Sequence, residues 1–124
     1  MNEYIVSLER EFSLVENGFK AEESRALSDY KSHDHEYIKE LAYLAYKSTV
    51  YQVRMYAVFL FGYLSEDDDI LDFMRDTVSK DDNWRVQEIL AKSFDEFCKK
   101  KGYENALTII DEWLKNSNPN TRRA

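Results

Sequence analysis

Apolar side chains recur along this chain with a helical period from one end to the other. The spacing of three and four residues predicts a succession of helices, and strand-like alternation appears over no useful length. The first helix has Ile5, Leu8, Phe12 and Val15 on its core face and is predicted to stop at Asn17-Gly18. The later helices are predicted at residues 20–30, after Asp34, at 53–61, after the cap at 65–69, from Trp84 to the Lys-rich stop before Gly102, and at 103–114.

Two of these helices carry stronger signals than the rest. Residues 53–61 are apolar almost all round, which predicts a central, buried helix. Thr49 and Gln52, three positions apart at its start, match the pattern of a capping box. The helix after residues 65–69 is predicted to bury Ile70, Leu71, Met74 and Val78.

The helices repeat along the chain. Residues 69–80 followed by 83–86 align with 104–115 followed by 118–121, about 35 positions later. Gln52-Val53-Arg54 likewise matches Arg85-Val86-Gln87 at an offset of 33. Paired helices with this period predict an all-α fold, a right-handed α-solenoid of HEAT-like or armadillo-type repeats.

The last repeat is short in this sequence. Pro119 occupies the natural first position of a new helix, yet only about one turn follows it. We therefore interpret residues 1–124 as a single HEAT-like-repeat domain, an N-terminal fragment of a longer solenoid. The exposed surface of its end repeat is a candidate for self-association.

The composition agrees with a folded helical domain and limits the kinds of partner that it can bind. Hydrophobic residues make up 44% of the chain and aromatic residues 15%, which argues against disorder, while 3 Gly and 1 Pro are few for a β protein. The net charge of −7 disfavours nucleic acid unless basic residues cluster on one face. Cys98, the single cysteine, is predicted to be a buried hydrophobe. The sequence has neither a signal-peptide core nor a membrane-length apolar run, so no membrane association is expected and the predicted location is cytoplasmic.

Trp84 and Glu88 form the most distinctive pair in the chain. Their spacing of four places both side chains on one helix face, away from the apolar positions that follow. One interpretation is a Trp packed over a neighbouring repeat beside a solvated Glu. The other is a site at which the ring stacks on a sugar or base while the carboxylate stabilises positive charge or orients water.

Other polar clusters have simpler interpretations. The acids at residues 66–69 lack the ligand spacing of a calcium loop, and His33, Asp34 and His35 are too few for a transition-metal site, so both are interpreted as helix caps. No metal and no cofactor are predicted. Arg122 and Arg123 fall in a first helical turn, where cations oppose the helix dipole, which favours an anionic partner or a following sequence.

Several of these features together resemble the DNA alkylation repair family, the HEAT-like-repeat alkylpurine DNA glycosylases and their relatives. The resemblance rests on residues 82–88, followed by Asp111-Glu112-Trp113-Leu114, Asn118-Pro119-Asn120 and Arg122-Arg123-Ala124. It is strongest over residues 50–124.

The resemblance implies a helical solenoid that holds double-stranded DNA against a basic concave face and removes N3- or N7-alkylated purines without a metal or cofactor. On the family's pattern Trp84 would contact the sugar of the damaged nucleotide, and Glu88 would stabilise the oxocarbenium-like sugar and position water. Arg123 would contact the DNA backbone, with Arg85 and Arg122 as further DNA-binding candidates. A non-catalytic helical-repeat scaffold that binds protein or DNA is the alternative, which the net charge of −7 favours.

Overall fold

A computed structural model describes residues 1–102, apart from the side chains of Glu96, Lys100 and Lys101. The described part is entirely helical, which confirms the predicted all-α class. It contains α1 (Asn2–Phe12), α2 (Lys20–Ser32), α3 (His35–Tyr46), α4 (Tyr51–Tyr63), α5 (Asp68–Asp76), the 3-10 helix Val78–Lys80 and α6 (Trp84–Lys101).

The centre of the core is α4, as its all-round apolar sequence predicts. Ten of its 13 residues are buried. It lies between α2 and α6 and also packs closely against α3, so every face of the helix meets a neighbour. The helices α2, α4 and α6 therefore form a layer, called here the α2–α4–α6 layer, on which the candidate site is built.

The repeat predicted from the sequence is visible in where the helices begin. Asp34 caps α3 by accepting a hydrogen bond from a backbone N–H, and Asp67 does the same for α5, 33 positions later. The partner helices α4 and α6 begin at Tyr51 and Trp84, again 33 positions apart. The matching segment at residues 104–115 lies outside the described residues.

The loop before each of these partner helices is also built in the same way. Ser48 Oγ and Asp81 Oδ1 each accept a hydrogen bond from the backbone N–H two residues further on, at 3.1 and 2.9 Å. Arg54 and Gln87, each the fourth residue of its helix, donate to the backbone carbonyls of Ser48 and Asp81 respectively. The repeat is therefore one of hydrogen-bonded junctions as well as of apolar spacing.

The predicted end of the first helix is wrong. The apolar spacing extends it to Asn17-Gly18, but α1 ends at Phe12. Beyond that point the chain turns so that the carbonyl of Val15 accepts a hydrogen bond from Gln52 Nε2 at 3.0 Å. The backbone N–H of Val15 donates to the carbonyl of Phe12 three residues earlier, at 2.9 Å, so the helical ladder has already ended and the carbonyl of Val15 is directed to α4.

The predicted capping box at Thr49 is also wrong. The N-cap of α4 is Val50, which provides no side-chain hydrogen bond. Ser48 satisfies the backbone N–H of Val50 instead, and Gln52 turns its amide toward the carbonyl of Val15. The contact with the part-buried carbonyl of Val15 therefore orients the Gln52 side chain away from the start of its own helix.

The apolar stripe predicted after residues 65–69 is correct, but its helix is shorter than predicted. Ile70, Leu71 and Met74 are buried in α5, which ends at Asp76. Val78 is buried too, in the 3-10 helix Val78–Lys80. A tighter turn thus continues the stripe toward α6.

Gly62 sets the distance between α4 and α6. A Cβ atom at this position would lie 2.9 Å from Ser93 Cβ and 3.0 Å from Ser93 Oγ, closer than packed carbon atoms approach. Ser93 is itself held by a hydrogen bond from its Oγ to the carbonyl of Val58 at 3.1 Å. The two helices meet here because this residue has no side chain.

We expect Gly62→Ala to destabilise the protein by about 1–3 kcal/mol through overpacking. Destabilisation would be diagnostic of overpacking, because helix propensity alone would make Ala more stable than Gly here by up to about 1 kcal/mol. Chemical denaturation followed by circular dichroism measures the change. In a double-mutant cycle, Ser93→Gly should remove part of the cost of Gly62→Ala. Two independent, additive effects would contradict the close contact.

Candidate functional site

The first two turns of α6 present Trp84 and Glu88 on one solvent-facing side. Asn83 starts the helix by accepting the backbone N–H of Arg85 at 2.9 Å. Trp84 is 65% exposed and Glu88, one turn later, is exposed as well. The opposite side of the helix is buried through Val86, Ile89 and Leu90. The spacing argument therefore gave the correct face for both side chains.

Trp84 and Glu88 line an open recess above α4, of about 440 Å³ when the space open to solvent is included. Its walls come from the loop that precedes α2, from α4 and from α6. The lining residues are Gly18, Phe19, Met55, Trp84, Arg85, Glu88 and Ile89. The recess thus combines an apolar floor with one carboxylate and one guanidinium, both from α6. Sequence reasoning missed Phe19 and Met55.

Arg85, one of the candidate DNA-binding residues, lies at the edge of this recess and is only half-buried. Its Nη1 donates to the backbone carbonyl of Glu16 at 2.9 Å. Its guanidinium carbon lies 5.3 Å from the centre of the Trp84 ring and 5.8 Å from that of Tyr51. These are cation–π distances, so Arg85 and Trp84 are in contact in the absence of any ligand.

Lys92 follows Glu88 by one turn on the same face of α6. Its ammonium lies 5.3 Å from the centre of the Phe19 ring and 3.7 Å from Glu23 Oε2. The side chain therefore connects α6 with α2. A spacing of four from Glu88 was the signal that could have found it.

Glu22, on α2 beside this site, is another residue that sequence reasoning missed. Its side chain is fully buried, and neither carboxyl oxygen has a hydrogen-bond partner within residues 1–102. Burial raises the pKa of the Glu22 carboxyl, while the backbone N–H of Glu22 itself and, to a smaller extent, the positive charge of Arg85 lower it. An acid at a core position of the thin apolar stripe of α2 was the sequence signal.

The clusters considered as metal ligands act as helix caps. Asp67 accepts the backbone N–H of Asp69 at 3.0 Å and pairs with Lys39 Nζ at 2.9 Å, and the Lys39 ammonium lowers the pKa of the Asp67 carboxyl. Asp34 caps α3, and the His33 ring stacks on Tyr37 with centres 4.3 Å apart. Residues 1–102 contain no group of three or more His, Cys, Asp or Glu placed to hold a metal ion.

The thiol of Cys98 is buried on α6, as predicted. Burial raises the pKa of this thiol, and the charge of Asp95 adds to the shift. A thiol kept protonated in this way is a poor nucleophile.

Arg122 and Arg123, predicted to bind DNA, lie outside the described residues, as do Trp113 and Pro119. Within the described part, each helix is too short or too polar to cross a lipid bilayer.

Comparisons with known proteins agree with the fold and extend it. A family model described as "DNA alkylation repair enzyme" matches residues 17–124. The crystal structure of AlkD2 from Streptococcus mutans is similar, with 73% sequence identity and a TM-score of 0.96 over 98% of this chain. So is that of smu.31 from Streptococcus mutans UA159, with 70% identity and a TM-score of 0.92 over 97% of this chain. The chain spans 58% and 57% of the lengths of these two proteins. A comparison with curated proteins finds no match.

Proposed function

The chain belongs to the DNA alkylation repair enzyme family, and from this premise we propose that it binds alkylated DNA and hydrolyses the N-glycosidic bond of N3- or N7-alkylated purines. One observation carries the proposal. A largely exposed Trp84 shares an open recess with the carboxylate of Glu88. A large aromatic side chain left in solvent beside an acid suits a sugar that gains positive charge as it reacts.

The chemistry requires little from the protein. An N3- or N7-alkylated purine is already cationic, so it leaves as a neutral base when the C1′–N bond breaks and the electron pair stays on nitrogen. Positive charge then develops on the deoxyribose, where the Glu88 carboxylate stabilises it and the Trp84 ring contacts the sugar. The oxygen of a water molecule bonds to C1′, and the water's proton passes to Glu88 or to solvent. One carboxylate suffices because the leaving group needs no acid.

Double-stranded DNA is the partner that this proposal requires. Arg85 borders the recess, and together with Arg122 and Arg123 it is proposed to contact backbone phosphates. The net charge of −7 favours the second candidate, a non-catalytic helical-repeat scaffold that binds protein or DNA. We also propose that residues 1–124 are one repeat domain of a longer solenoid. The proposal is supported by the Streptococcus mutans AlkD2 structure, of whose length this chain spans 58%.

Release of 7-methylguanine from methylated duplex DNA tests the proposal. The protein expressed from its complete reading frame should release the free base in a time-dependent way, measured by chromatography. Protein-free DNA gives the background rate. Release at that background rate, together with retained binding to duplex, would support the scaffold and reject the glycosylase.

A further inference from the structure

Glu22 occupies a position at which the fold elsewhere uses valine. It is the third residue of α2, Val53 is the third residue of α4, and Val86 is the third residue of α6. All three side chains are 0% exposed. Packing of the α2–α4–α6 layer therefore calls for an apolar side chain here, and the carboxylate needs another explanation.

Burial of the Glu22 carboxylate is unfavourable in free energy. Neither oxygen makes a hydrogen bond of ordinary geometry in the described part of the chain, where the backbone N–H of Glu22 itself is the one nearby donor that lowers the carboxyl's pKa. A buried charge with so little compensation is strongly unfavourable. A first-turn acid gains something from the helix dipole, but that gain is equally available to an exposed side chain. The one side-chain charge that lowers the pKa of Glu22 within residues 1–102 is that of Arg85 on α6.

Arg85 is held by weak contacts in its present position. It donates to a backbone carbonyl, that of Glu16, and lies over the rings of Trp84 and Tyr51. A guanidinium bonds a carboxylate with two charge-assisted hydrogen bonds, which are stronger than a bond to a neutral carbonyl. The arginine side chain is long and has many rotamers, so its guanidinium is not confined to one position.

We propose that Glu22 is a positioning residue that provides Arg85 with a second position, paired with the Glu22 carboxylate instead of lying over Trp84. In its consequence for DNA this inference rests on the proposed function. With Arg85 on Glu22, the face of the Trp84 ring is free for a deoxyribose. The outer edge of the guanidinium then faces a backbone phosphate.

The free protein provides the first test, because Trp84 emission reports on the cation beside its ring. In a Trp113→Phe background Trp84 is the sole tryptophan. As pH rises above the ordinary range of Glu, Glu22 ionises and draws Arg85 away, so the emission should change in a distinct step. The carboxylates of Glu16 and Glu88, which flank Arg85, are present in every variant, so their contribution to the emission is common to all of them.

Glu22→Gln should abolish this step, and Glu23→Gln, a change of the neighbouring residue, should keep it. A step that survives Glu22→Gln, or its absence from the starting protein, would overturn the proposal.

Glu22→Val should fold with a higher Tm than the starting protein at neutral pH. That advantage should shrink as pH falls, because an acid with a raised native pKa destabilises the fold only where it ionises.

Binding of a duplex with a tetrahydrofuran abasic analogue provides the second test. Glu22→Val should weaken binding about tenfold, the size of one charge-assisted hydrogen bond. It should also reduce the slope of log K against log salt by about 0.9, one phosphate contact. Both effects should vanish in an Arg85→Met background, and their persistence there would overturn the proposal. If no variant binds DNA, the proposed function fails while the emission test still decides whether Glu22 holds Arg85.

Discussion

Glu88→Gln is expected to slow the release of 7-methylguanine by roughly 10²–10³-fold, the usual effect of removing one preorganised electrostatic group from a transition state. Glutamine keeps the size of the side chain and removes its charge, so the substitution isolates the electrostatic contribution. The charge on the sugar exists only as the bond breaks. The loss should therefore appear in the rate of the chemical step, measured by single-turnover kinetics with protein in excess.

Three accompanying measurements give this result its meaning. The Tm should be unchanged because Glu88 is exposed and its removal leaves the core intact. Affinity for a duplex with a tetrahydrofuran residue should stay equal or rise, because a negative charge near phosphates is lost. Glu23→Gln removes a carboxylate from the neighbouring helix and should release base at the original rate. Equal rates for the Glu88 and Glu23 variants would remove Glu88 from the chemistry.

The parts of the fold that local chemistry dictates were predictable from the sequence. Asp34 and Asn83 cap their helices as expected, and α6 ends at Lys101, just before Gly102, whose φ of 82° suits glycine. The errors occur where a contact with a distant residue accompanies the start or the end of a helix. Gln52 takes the carbonyl of Val15, and no periodicity within a single helix contains that information.

The site was predictable only as far as it lies on one helix. A spacing of four gave the shared face of Trp84 and Glu88 because α-helical geometry is fixed. The opposite wall, with Phe19 and Met55, depends on how three helices pack. Glu22 was within reach of sequence reasoning, because aligning the third residue of each helix in the layer would have placed it beside two valines.

Asp81→Ala is expected to have the largest effect on stability, about 3–5 kcal/mol, the usual cost of breaking a buried ion pair from one side. The Asp81 side chain is 4% exposed and that of Arg54 15%. Its Oδ2 accepts from Tyr46 Oη at 2.7 Å and from Arg54 Nε at 3.0 Å, while its Oδ1 accepts the backbone N–H of Asn83 at 2.9 Å. Burial and the bond to Asp81 together raise the pKa of the Tyr46 hydroxyl.

The cost arises because alanine leaves donors from three places without an acceptor. Arg54 belongs to α4, Tyr46 to α3, and the Asn83 N–H to the loop that starts α6. Against a total stability of about 5–15 kcal/mol for a domain, the loss is a large fraction and should be evident in urea denaturation. Asp82→Ala is the matched control, because Asp82 is 96% exposed and reaches Arg54 only at 3.5 Å.

Asp82→Ala should leave the denaturation midpoint unchanged, since exposed ion pairs contribute little. A similar loss in both variants would mean that general charge, rather than the buried junction, stabilises this region. The junction also bears on function, because Asp81 lies three residues before Trp84 and fixes the loop that starts α6. At temperatures where Asp81→Ala is still folded, base release should therefore fall as well, through misplacement of Trp84 and Glu88 rather than loss of either group.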